Sequence, residues 1–148
     1  MAIPDGYAVA PTQADNLAKL MIPIPGRETP VTVEVPRLNW TTPAEVRKYR
    51  EWLKPYSDAE EKMMRWNAAN AAKPEDQQEP KPDGVEKLLE EFEPREITLR
   101  WLKPYVSAAD YRVLMEKIPE GTVRWIKAQI ERPDDDITVG ESSASANS

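Results

Sequence analysis

The pentapeptide Trp52-Leu53-Lys54-Pro55-Tyr56 recurs unchanged as Trp101-Leu102-Lys103-Pro104-Tyr105. Five identical residues repeated within one short chain constrain the fold more than any other feature. Proline lacks an N–H and its ring clashes with the carbonyl four residues earlier, so each copy predicts the end of a helix. A Ser follows each copy within two residues and opens the next helical pattern. Each copy then reads as a helix–Pro corner–helix unit, with Trp and Leu packing the corner and Tyr placed as a hydrophobic staple before the next cap. The Lys near the first helix's C-terminus favours the helix dipole by a few tenths of a kcal/mol. The expectation is a mainly α fold, a short-helix bundle built from two similar helix–Pro–helix hairpins.

The local signals extend this reading. Thr42-Pro43-Ala44-Glu45 is a capping box with Pro at the first helical position, and Val46, Tyr49 and Leu53 follow on one face. Ser57-Asp58-Ala59-Glu60 is a second box, leading into Ala59, Met63 and Trp66. Asp83 is placed to cap a helix carrying Val85, Leu88, Leu89 and Phe92. After Pro94 a helix over 95–102 is expected. Ser107 then caps a helix with Tyr111, Leu114, Met115 and Ile118 inward, and a last helix carries Val123, Ile126 and Ile130 before Pro133.

Before residue 42 the pattern changes. Ile22-Pro23-Ile24-Pro25-Gly26 cannot continue a helix, which predicts an extended N-terminal arm over 1–41, with a turn or two of helix around Ala14 to Met21. Val31, Val33 and Val35 alternate with polar residues between Pro30 and Pro36, the signal for a short strand at 31–35. The expected divisions are therefore arm 1–41, first helical hairpin 42–72, acidic Pro-rich linker 73–83, second helical region 84–132 and tail 133–148. The linker holds no large apolar side chain. The tail runs from an acidic triplet, Asp134 to Asp136, into a small polar tract, and is expected to be disordered, although the Ile137-Thr138-Val139 island has the character of a docking element.

Charge and composition exclude several kinds of chemistry. The net charge is −6, which disfavours DNA, RNA and anionic membranes as partners. The chain has no His and no Cys, so the commonest general base and the usual zinc ligands are missing. Its five glycines are isolated, so no phosphate-cradling loop is present. Glu90/Glu91 and Asp134 to Asp136 lie in polar stretches and read as solvated charge rather than an acid–base pair. No apolar run is long enough to span a bilayer, and Met1 to Gly6 carries no basic leader signal. The expectation is a non-enzymatic protein with no cofactor, no metal and no membrane partner. Five Trp and five Tyr against one Phe supply bulky side chains with polar tips, suited to a core or to a protein-binding surface. Candidate partner-binding residues are Trp52, Tyr56, Met63, Trp101, Tyr105, Met115 and Trp125, each an anchor either of the fold or of a client.

From about Ile97 onward the chain resembles the tail assembly chaperones of long-tailed (siphovirus-like) actinobacterial phages. The likeness is carried by Arg100-Trp101-Leu102-Lys103-Pro104-Tyr105, by Ser107 to Tyr111 with Leu114, by Ile118-Pro119-Glu120-Gly121-Thr122-Val123-Arg124-Trp125-Ile126, and by Val139-Gly140-Glu141-Ser142-Ser143. It covers about a third of the chain. The resemblance implies a small helical protein that binds the tape measure protein and promotes tail tube polymerisation in the host cytoplasm. It also implies a programmed frameshift that adds a domain recruiting the tail tube subunit, beginning near Gly140 to Ser148. A homo-oligomer is compatible with it. The alternative is a structural protein of the phage particle, a connector or tail accessory acting through protein–protein contacts.

Overall fold

The computed structural model describes residues 3–133 and comprises five helices and one two-stranded antiparallel sheet. Two compact units make up the chain. One joins the N-terminal segment to Thr42 with the segment from Thr98 onward, and the other is the intervening Pro43–Ile97.

The first unit begins where an extended arm was expected and is instead a β-hairpin. Strand β1 (Leu17–Ile24) pairs with β2 (Arg27–Pro36), with Ala18 opposite Val35, Leu20 opposite Val33 and Ile22 opposite Val31. Those six side chains and Ile24 are buried, while Lys19, Met21, Thr32 and Glu34 face outward. The period-two alternation is what one packed face and one solvated face require. Pro25-Gly26 closes the hairpin, and Gly26 takes φ +77° at no steric cost. The register slips between Ile22 and Ile24, and Pro23 and Pro30 lie in that irregular stretch, where a missing N–H breaks no ladder bond. The expected helix around Ala14 to Met21 reduces to a 3₁₀ turn at Gln13–Asn16.

Beneath the hairpin lie α4 (Ala108–Lys117) and α5 (Glu120–Glu131), both expected from their stripes. Ser107 caps α4 by accepting a hydrogen bond from Asp110 N at 3.1 Å. Leu114, Ile118, Val123, Ile126 and Ile130 join Leu99, Leu102 and the hairpin in one buried apolar cluster. Full burial of such side chains stabilises by roughly 1.5–3 kcal/mol each, so this cluster dominates the unit's stability. The buried Arg37 donates from Nη1 to the Gln129 carbonyl at 2.9 Å, satisfying a carbonyl in the last turn of α5.

The second unit overturns the paired-hairpin expectation. Helix α1 runs unbroken from Pro43 to Asn70 with Pro55 inside it. Tyr49, Trp52, Tyr56, Ala59, Met63, Trp66 and Asn70 recur at alternating three- and four-residue steps, and all are buried or half-buried. The two stripes expected on separate helices either side of Pro55 lie on one helix. Polar residues 73–83 form an ordered loop. Trp66 Nε1 donates to Glu79 O at 3.1 Å, and Glu79 N donates to the Oδ1 of the fully buried Asn70 at 2.9 Å. Helix α2 (Val85–Glu91) then packs on α1. Its N-cap is Gly84 in the left-handed region at φ +74°, and the expected Asp83 cap is not formed.

The short α3 (Glu96–Leu99) replaces the longer helix expected over 95–102. The second pentapeptide passes from a turn at Trp101-Leu102 into a 3₁₀ turn at Lys103–Tyr105. Identical sequence thus takes two conformations. Around Pro55, about two and a half turns of helix precede the motif, and Ser57 onward adds helix formers with a Lys54–Asp58 pair at 3.0 Å. That cooperative length outweighs one lost hydrogen bond. Around Pro104 only one helical turn precedes, the extended Val106 intervenes, and Ser107 starts a new helix. The fold is therefore a β-hairpin on helices plus a long-helix unit, not a bundle of two equivalent hairpins. The expected tail beyond Pro133 lies outside the described residues.

Candidate protein-binding surface

The seven candidate residues fall into two groups, one in each unit. In the second unit Trp52 and Tyr56 belong to an aromatic cluster on the α1 stripe. Ring centroids lie 5.5 Å apart for Tyr49–Trp52, 5.8 Å for Trp52–Tyr56, 6.4 Å for Trp52–Phe92 and 4.4 Å for Tyr56–Phe92. All are tilted arrangements of the kind aromatic quadrupoles favour. The Tyr49 hydroxyl donates to the Ile97 carbonyl at 2.5 Å. Met63 lies half-buried two turns beyond Tyr56 on the same stripe, while its neighbour Met64 is 65% exposed. Trp52 and Tyr56 thus hold α1 to the segment that follows α2.

In the first unit Trp101 and Met115 are half-buried against the apolar cluster. Tyr105 and Trp125 turn outward, at 38% and 44% exposure. Tyr105 borders a shallow depression of about 490 Å³ on the outer hairpin face, with Lys19, Met21, Thr32 and Glu34. Met21 there is 64% exposed. On the other side of the 3₁₀ turn a second depression, about 440 Å³, is lined by Lys103, Val106, Ala108, Tyr111, Arg112 and Met115. Lys103 Nζ lies 5.3 Å from the Tyr111 ring centroid, within cation–π range. The second Lys-Pro-Tyr therefore forms the ridge between two concavities of one unit.

No protein-family model, curated protein or solved structure matches this chain.

The sequence reading passed over Met21, Lys103, Tyr111 and Arg112 as surface residues. The alternation of Ala18, Leu20, Ile22 and Ile24 was the available signal for Met21, since it places residue 21 on the solvent side of a strand. Among the described residues no group of three or more Asp or Glu side chains is placed to hold a metal ion, and no helix is long and apolar enough to cross a membrane. Asp15 forms a capping box with Thr12 at the start of the 3₁₀ turn. Its carboxylate accepts the Thr12 backbone N–H at 2.9 Å and the Thr12 hydroxyl at 2.9 Å, and these bonds hold it below the usual aspartate range. The chemistry on offer is contact: exposed aromatic and thioether side chains beside charged rims.

Proposed function

We propose that this chain is a non-enzymatic tail assembly chaperone, which binds the tape measure protein of a long-tailed phage and promotes tail tube assembly around it in the host cytoplasm. The observation that supports the reading most is the placement of the resembling stretch. Arg100 to Ile126 supplies the ridge of Lys103 and Tyr105, the whole lining of the second depression, and the outward Trp125. Shallow concavities that set apolar side chains beside charged ones suit a long amphipathic client, whose i, i+3 and i+7 side chains would seat in them. Met21 and Met115 give such a surface the adaptability of unbranched thioethers.

Co-expression with the tape measure protein from the same phage tests this. The tape measure protein should remain soluble with the chain, co-elute with it, and aggregate without it. Mass spectrometry of purified virions adds a second reading, and a chaperone is absent from them. Stoichiometric retention in virions, or a tape measure protein indifferent to the chain, would instead favour a connector or tail accessory.

A further inference from the structure

The outward face of the hairpin sets opposite charges across from each other. Lys19 lies directly opposite Glu34 in the register, and Met21 lies directly opposite Thr32. All four residues are exposed, Met21 to 64%, and they line the depression that Tyr105 borders. Among the described residues neither Lys19 nor Glu34 is held in an ion pair. A sheet of two strands also has an open edge on each strand. Pro23 in β1 and Pro30 in β2 interrupt those edges, which disfavours addition of a third strand and leaves the face as the surface on offer.

Cross-strand partners of opposite charge make this face complementary to itself. A two-fold axis running along the strands, midway between β1 and β2, exchanges the two strands between copies. It places Lys19 of one copy over Glu34 of the other, Glu34 over Lys19, and Met21 over Thr32 in both directions. We propose that the hairpin face is an isologous contact between two copies of this chain, held by two Lys19–Glu34 pairs beside two Met21–Thr32 contacts. Methionine suits such a contact, because an unbranched thioether adapts to the shape it meets. The net charge of −6 works against association of two copies, and the charge pairs fix one orientation against that background. A face of two short strands falls short of the roughly 800 Å² per partner of a standard interface, so the dimer is weak and reversible. A client that used the depression on this face would have to displace the second copy.

Sedimentation equilibrium of the purified full chain, with no client present, tests this. The wild-type chain should show a monomer–dimer equilibrium. Lys19→Glu brings like charges together at both pairs and should weaken association by roughly tenfold or more, as should Glu34→Lys. An equimolar mixture of the two variants should recover wild-type association, because each copy then meets the opposite charge on the other. Repulsion within one hairpin is not relieved by mixing, so this recovery separates contact between copies from damage to the fold. In methionine methyl NMR the Met21 signal should shift with protein concentration while those of Met64 and Met115 stay fixed. A chain that remains monomeric up to millimolar concentration would overturn the proposal. So would single variants that associate like wild type, a mixture that stays monomeric, or a concentration-dependent shift centred on Met64 or Met115.

Discussion

Pro55 and Pro104 occupy the same place in identical pentapeptides, yet one interrupts hydrogen bonding inside a 28-residue helix and the other sits in a 3₁₀ turn that asks nothing of its nitrogen. Replacing each with Ala should therefore have different consequences. Pro55→Ala restores a helix-interior N–H and should stabilise the second unit by about 2–3 kcal/mol. Pro104→Ala gains no bond and loosens the unfolded chain, so it should cost about 0.5–1 kcal/mol. Urea unfolding followed by circular dichroism distinguishes them, and equal shifts would contradict the two conformations. At the same scale, Asp15 should titrate below ordinary aspartates in carboxyl NMR. A lowered folded-state pKa means that its contribution is present at neutral pH and fades as pH falls through that value. Thr12→Ala removes only the hydroxyl bond and should raise the pKa part of the way, because the backbone N–H bond is the larger cause.

Elements were legible where several local signals agreed. Helices α4 and α5 were readable because a periodic stripe and a terminating proline agreed in each, with the Ser107 cap added for α4. The hairpin was half legible. Val31, Val33 and Val35 marked β2, but Pro23 and Pro25 masked β1, since prolines ordinarily argue against strands. They are tolerated because one lies in the register slip and the other in the turn. Helix α1 was misread through the opposite error, giving a single proline more weight than the long stripe running across it. The two faces of the hairpin make a sharp contrast. Ile22→Ala should destabilise the first unit by about 2–5 kcal/mol, whereas Met21→Ala, one residue away on the open face, should stay within about 0.5 kcal/mol. Chemical denaturation of the two variants checks this. Comparable losses would mean that the register is displaced by one residue, which would exchange the faces.

For the whole molecule, the division into units departs from chain order. The first unit is assembled from residues before 43 and after 97, with the second unit inserted between them in sequence. No local pattern announces such an arrangement, because it depends on Leu20, Ile22 and Val33 meeting Leu114, Ile126 and Ile130 across most of the chain. The candidate surface was legible only in part for the same reason. Tyr105, Met115 and Trp125 could be named from sequence, but Met21 joins Tyr105 only once the hairpin is folded. The account depends most on the first unit having its own core, since the proposed client surface and the self-complementary hairpin face both lie on it. The most direct measurement is the ¹H–¹⁵N spectrum of a chain in which residues 43–97 are replaced by a flexible Gly-Ser linker. Dispersed resonances for the hairpin, α4 and α5 at their full-length positions, with the Leu20, Leu114 and Ile126 amides protected from exchange, are the predicted result. A collapsed, poorly dispersed spectrum would contradict it.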